Sequence, residues 1–154
     1  MDDSFSVRAI GRVLSDRTGR EDDRWGMVES VIRLDDRFGP EALTGLDEFS
    51  HIEVVFIFDQ FDEAKVNTGA RHPRGNEAWP EVGIFAQRAS SRPNRLGLTT
   101  CELIGTDGLD LRVRGLDAID GTPVLDVKPF VREFQPRSEV RQPSWISQLM
   151  VDYW

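Results

Sequence analysis

Cysteine is nearly absent from this chain. Cys101 stands alone, which excludes an internal disulfide framework and any multi-cysteine zinc site. Long apolar runs are missing as well: the longest, Val54 to Phe58, has five residues, where a membrane-spanning helix needs about 20. Histidine occurs twice, as His51 and His72, without the i, i+4 spacing of a helical ligand pair, so no metal site is expected. Neither Gly-x-Gly-x-x-Gly nor a phosphate loop occurs, and no internal repeat or nucleophile elbow is evident. The usual dinucleotide, triphosphate and serine-hydrolase chemistries are thereby poorly supported. The opening Met1-Asp2-Asp3-Ser4 has no basic region or apolar stretch behind it, so no secretory signal and no membrane partner are expected. The cytoplasm is the expected compartment.

What is present is enough for one ordinary domain. The chain has 154 residues, 39% of them apolar and 30% charged, a composition that folds around a single core. Nineteen basic residues face 27 acidic ones, a net charge of −8 that argues against a broad nucleic-acid footprint. The charge is uneven. Between Arg71 and Gly97, five arginines (71, 74, 88, 92 and 95) face only Glu77 and Glu81, a local +3 on an otherwise acidic body. A localised anionic ligand fits that pattern.

Strand signals dominate. Ser6–Leu14 alternates with period two, and Met27–Leu34 is β-branched between Gly26 and Asp35-Asp36. His51–Phe58 is the densest β-former, apolar enough to suggest burial on both faces. Further strands are expected at Val82–Gln87, Leu96–Ile104, Leu109–Arg114 and Thr122–Lys128, with Gly105–Gly108 as a hairpin turn. Pro40–Leu46 reads as a short helical turn. Asp59–Pro80 has no period and is punctuated by glycine and proline, the mark of a functional loop. Beyond Pro129, prolines space out an extended arm, and Ser144–Trp154 reads as a short amphipathic helix capped by Ser144. With no helix of ten or more residues available for parallel crossovers, the expected fold is all-β. It is a small barrel of six to seven strands over residues 1–135, followed by an arm and helix over 136–154.

Two loops carry candidate chemistry. Gly83–Gly97 leaves a strand, passes Arg88, Arg92 and Arg95 with Ser90, Ser91 and Asn94, and re-enters a strand. Arginine's planar fork suits carboxylate or phosphate, while a solvated loop whose arginines pair with surplus carboxylates is the plain alternative. Leu116–Pro123 contains Asp120-Gly121-Thr122-Pro123, a tight turn in which Asp117 and Asp120 can accept from a ribose or an amine; an ordinary hairpin loop is the alternative. His51 reads as a cap or core histidine, and His72, in Arg71-His72-Pro73-Arg74, as the better functional candidate. Cys101 reads as a buried, inert thiol. Phe56, Phe58 and Phe85 are expected in the core. Trp25 and Trp79 sit in irregular segments where a ring can stack on a base or pack.

Three blocks taken together carry a resemblance. They are Phe49-Ser50-His51 leading into the apolar strand, Gly83-Ile-Phe-Ala-x-Arg88-x-x-x-Arg92-Pro-Asn94-x-x-Gly97-Leu98, and Leu116-Asp-x-x-Asp120-Gly-Thr-Pro-Val-Leu-Asp126-x-Lys128-Pro. In this order, over roughly residues 5–135, the chain resembles the TrmO (YaeB-like) family. The resemblance implies a small β-barrel methyltransferase that uses S-adenosylmethionine without a Rossmann fold. Such proteins N-methylate threonylcarbamoyl-adenosine beside the tRNA anticodon, and they are homodimers with the cofactor near the subunit interface. Carried over by position, cofactor contacts are implied for Arg24, Asp59, Gln60, Arg88, Leu98, Asp120, Gly121, Thr122 and Pro123. Arg71, Arg74, Arg92, Asn94 and Arg95 are implied to face the substrate, and His72, Asp59 and Asp126 are the candidates for a proton acceptor. The departures mark a divergent subfamily: Asp22–Gly26 replaces Pro-Arg-Gln, Arg71–Arg74 replaces Pro-Pro-Arg, Arg95-Leu96 replaces Pro-Ile, and Asp59-Gln60 replaces His-Gln. A small-molecule methyltransferase and a non-catalytic S-adenosylmethionine-binding module on the same barrel are the alternatives.

Overall fold

The computed structural model describes residues 3–154, so Met1 and Asp2 of the opening segment lie outside the described residues. Six antiparallel strands close into a barrel. They are β1 (Gly11–Leu14), β2 (Glu29–Leu34), β3 (His51–Ile57), β6 (Leu96–Asp107), β7 (Asp110–Arg114) and β8 (Pro123–Pro129), paired in the order β1-β2-β7-β6-β3-β8 and back to β1. A separate two-residue hairpin pairs β4 (Ala70–Arg71) with β5 (Val82–Gly83) inside the long excursion between β3 and β6. The expected all-β barrel is therefore the observed one. Helix α1 (Ser144–Leu149) follows the exposed arm.

Period-two burial builds the core. Val13, Ile32, Leu34, Ile52, Val54, Phe56, Cys101, Leu103, Leu111, Val113 and Val124 point inward, and their alternate neighbours point out. Closing the sheet removes the unpaired edges that an open sheet of this size would expose. Phe56, Ile32, Ile52 and Leu111 are fully buried. Gly97 opposite Phe56 is required by space, since a Cβ there would overlap the Phe56 ring. Two irregularities bend the wall: one between Val55 and Phe56 against β8, one between Leu103 and Gly105 against β7.

Several local expectations are corrected. β1 begins only at Gly11, because residues 3–8, Val7 among them, find no partner strand among the described residues and stay exposed. Val82–Gln87 forms two strand residues and then a 3-10 turn over Ile84–Ala86, which carries Phe85 outward to 77% exposure instead of into the core. The outer face of β3 is only half-buried, since no second layer covers it. His51 is exposed, its Nδ1 hydrogen-bonded to Ser50 Oγ at 2.7 Å. Gly105 lies at a bulge, and the β6–β7 hairpin turns at Gly108-Leu109. Pro40–Leu46 splits into 3-10 turns at Pro40–Leu43 and Leu46–Glu48, separated by left-handed Gly45. Ser144 is the first helical residue and makes no capping bond; Pro143 occupies the cap position.

Gly97→Ala is expected to destabilise the barrel by about 1–3 kcal/mol through overpacking against Phe56. Urea unfolding would read this as a lowered midpoint, and an unchanged midpoint would show that the ring has room to move.

Candidate functional site

One mouth of the barrel opens where β3 ends and β2, β6 and β8 begin. A cavity of about 630 Å³ occupies it, within the roughly 300–1,000 Å³ of small-molecule sites. Its floor is the end of the core, Phe56, Thr99 and Ala118, and its sides come from five stretches remote in sequence. These are Arg20–Trp25 before β2, Phe58–Phe61 after β3, the β4 hairpin with Arg71 and Arg74, the Gln87–Ser90 loop, and Asp117–Thr122 before β8. Residues of α1 and the turn after it complete the lining.

Local structure holds each wall. In the first stretch, Arg17 donates to the carbonyls of Glu21, Asp23 and Arg24 at 3.0, 2.6 and 2.9 Å, and its guanidinium lies 3.5 Å from the centroid of the Trp25 ring. Arg24 has left-handed backbone at φ 65°. The β4–β5 hairpin is held by buried Gln87, whose amide donates to Arg71 O at 3.2 Å and Val82 O at 2.9 Å. In the loop that follows, Arg92 donates to Gln87 O at 2.7 Å and Arg95 to Phe61 O at 2.9 Å, while Asn94 and Arg95 both take positive φ. Arg88 donates to the Leu98 carbonyl. The last turn is tied to β1 through Val13 N–H to Thr122 O at 2.9 Å and Gly121 N–H to Val13 O at 2.8 Å.

Charge inside the cavity is balanced: Arg20, Arg71, Arg74 and Arg88 against Glu21, Asp22, Asp59 and Asp117. Arg74 is neutralised by Asp23 at 2.8 Å and Asp22 at 3.7 Å. Arg71 makes no ion pair among the described residues, and its Nε is buried without a partner. Asp117 accepts hydrogen bonds from Thr99 Oγ1 and Tyr153 OH. Burial, reinforced by the Asp117 carboxylate, pushes the Tyr153 hydroxyl far above the ordinary phenol range, so it remains a donor.

Comparison with known proteins places the chain in a family. Residues 18–135 match the model of the tRNA-methyltransferase O N-terminal domain. The chain belongs to that family. It is 36% identical over 102 residues to the human tRNA (adenine(37)-N6)-methyltransferase, a match spanning 66% of this chain and 23% of the human protein. A Methanothermobacter thermautotrophicus relative, named a probable S-adenosyl-L-methionine-binding protein, is 38% identical over 136 residues, 86% of this chain and 94% of that protein. The crystal structure of TrmO from Pseudomonas aeruginosa superposes with a TM-score of 0.70 at 30% identity, covering 90% of this chain and 61% of that one. The chain thus spans only part of the methyltransferases it matches.

Against the TrmO pattern, the cavity brings together Asp59, Gln60, Arg88 and Thr122 of the implied cofactor residues, with Arg71 and Arg74 of the implied substrate residues. Leu98 takes part through its carbonyl. Gly121 and Pro123 flank Thr122 without lining the cavity, and Arg24 meets it only through its neighbours Asp22 and Trp25. Asp120 turns its side chain away: its carboxylate accepts from Ser15 N–H at 3.0 Å, beside a separate groove on the outer wall. Arg92, Asn94 and Arg95 stand outside the cavity, the two arginines occupied by backbone carbonyls. His72 is also outside, its Nδ1 2.7 Å from Trp79 O, and Asp126 is paired with Lys128 at 2.9 Å on the outer wall.

Sequence reasoning missed Thr99, Arg17, Trp145, Tyr153 and Trp154. The amphipathic pattern after Ser144 signalled that this segment must cover something, but no local pattern says what it covers.

Cys101 lies beneath this floor, and burial, with a contribution from Asp117, pushes its thiol up to about 12. An unfolded thiol ionises near ~8.5, so the stability carried by the neutral thiol is present below that pH and is lost as pH rises toward the folded value. At pH 8 iodoacetamide is expected to leave the native protein unlabelled and to label the urea-unfolded chain. Rapid labelling of the native protein would contradict the buried placement.

Proposed function

We propose that this chain is an S-adenosylmethionine-dependent methyltransferase that N-methylates threonylcarbamoyl-adenosine beside the tRNA anticodon. The observation that carries this reading is that Arg88 and Thr122, from loops more than thirty residues apart, line one cavity with Asp59 and Gln60. Three features of that cavity fit the cofactor. Its volume suits a nucleoside with an amino-acid arm, its balanced charges suit a zwitterion, and the orphaned Arg71 Nε calls for an acceptor.

When bound, S-adenosylmethionine supplies a methyl group already activated on a sulfonium, so the protein's task is alignment and exclusion of water. Arg88, restrained by the Leu98 carbonyl, orients the cofactor. Thr122, on the Asp120–Pro123 turn fixed to β1, packs against its adenosine or amino-acid moiety. Arg71 and Arg74 face the anionic acceptor from the cavity, with Arg92, Asn94 and Arg95 on the adjoining loop. Among the three candidate proton acceptors, Asp59 is the one that lines the cavity; His72 and Asp126 are engaged elsewhere. A homodimer in the cytoplasm completes the reading.

A second reading has one observation in its favour. The Methanothermobacter relative of nearly the same length is named for S-adenosyl-L-methionine binding, which supports a binding module without turnover. Calorimetry on the purified chain is expected to give saturable S-adenosylmethionine binding, weakened about 10- to 100-fold by Arg88→Ala, the scale of lost hydrogen bonds to a charged group. No saturable binding by the wild type would overturn both readings. Labelled cofactor is expected to mark total tRNA. Label in a metabolite extract instead would indicate a small-molecule acceptor, and tight binding with no transfer would indicate the binding module. Sedimentation at micromolar concentration is expected to give a dimer, and a monomer would contradict a site near a subunit interface.

A further inference from the structure

The segment Ser144–Trp154 is attached to the cavity as a separate piece. Trp145, Ile146, Leu149, Met150, Tyr153 and Trp154 supply lining. Residues 136–143, which lead to it, are exposed throughout and, among the described residues, make no backbone–backbone hydrogen bond outside the one that Pro143 accepts at the helix start. The matched family region ends at residue 135, before this segment.

Its anchors are few and specific. Asp152 O accepts from Arg24 N–H at 2.9 Å and Tyr153 O from Trp25 N–H at 2.8 Å. Gln148 Oε1 accepts from Trp79 Nε1 at 2.8 Å, and the Trp79 and Trp145 rings stack at a tilt, 6.5 Å apart. Tyr153 OH donates to Asp117, tying the segment to the wall that leads into β8. Gly26 makes the close approach feasible, because a Cβ there would meet the Trp154 carbonyl carbon at 2.7 Å. An exposed tether ending in a patch held by a handful of hydrogen bonds is the construction of an element that opens on its own while the barrel stays folded.

We propose that Ser144–Trp154 is a strap that forms one wall of the ligand site, and that the Tyr153–Asp117 hydrogen bond is the latch whose opening sets how fast ligand leaves. The identity of that ligand as S-adenosylmethionine rests on the function proposed above; the strap and latch rest on the contacts just described. Enclosure by the strap removes water from the Asp117 side of the cavity, and its aromatic residues offer rings to a planar or cationic group.

Hydrogen exchange and stopped-flow fluorescence on the full chain test this, using wild type, Tyr153→Phe and Gly26→Ala, with Phe134→Ala, an exposed position just before the arm, as the control. In the free wild type, amides of 144–154 are expected to exchange faster than those of β3 and β6, and both strap variants are expected to raise that rate about tenfold while the barrel amides and the control stay unchanged. Saturating S-adenosylmethionine is expected to slow strap exchange, and Tyr153→Phe to speed cofactor dissociation about tenfold. A strap that exchanges only together with β3 and β6, or a Tyr153→Phe variant with wild-type strap exchange and wild-type dissociation, would overturn the proposal. If the wild type binds no S-adenosylmethionine, the functional reading fails, and the exchange comparison alone still decides whether the latched strap exists.

Discussion

Closure of the barrel between its first and last strands is the constraint on which the site depends. Gly11 and Arg12 pair with Val124 and Pro123, and the contact is extended by Ile10 N–H to Val124 O, Val13 N–H to Thr122 O and Gly121 N–H to Val13 O. These bonds do two things at once. They bury the β1 and β8 edges, and they fix the turn before β8 so that Thr122 faces the mouth of the barrel while Asp120 faces Ser15. Without this seam the turn would be an unanchored loop. With it, the turn becomes a rigid wall opposite Arg88.

The remaining walls are long loops made rigid mainly by arginines that donate to backbone carbonyls, although Arg17 and Arg95 also lie 3.7 Å from the Glu21 and Glu63 carboxylates. Arg17, Arg92 and Arg95 spend their donors on backbone carbonyls, which satisfies loop segments that have no strand partner. This division of labour explains the local excess of positive charge better than a uniform basic surface does. Some arginines build the loops, and Arg71, Arg74 and Arg88 project into the space those loops enclose. Within that space Asp22 and Asp23 offset Arg74, so Arg71 is the cation left with an unpartnered buried donor. A ligand carrying both an anionic and a cationic group answers such a cavity better than a polyanion would.

The barrel was legible because β-branched and aromatic residues are a local strand signal, dense in residues 29–34, 51–57 and 96–103, where the fold then buries alternate side chains. Where a segment lacked a partner, the same signal misled. Val7 and Phe85 have strand-like neighbours yet lie exposed, since pairing depends on chain distant in sequence. The two key loops were legible as unusual chemistry, and the family pattern joined them. What no local pattern carries is which loop residues face inward: Arg92 and Arg71 look alike in sequence, and only the hairpin held by Gln87 separates their roles. Tyr153 was illegible for the same reason, as its partner Asp117 lies 36 residues away.

Convergence of Arg88, Asp59 and Thr122 on one bound nucleoside is the central claim, and a crystal structure of the chain with S-adenosylhomocysteine tests it most directly. The account predicts the ligand in the barrel mouth, its charged groups within hydrogen-bonding distance of Arg88 or Arg71 and its body against Thr122. Density for the ligand at the outer-wall groove beside Asp120 and Arg112, with the mouth filled only by solvent, would contradict it.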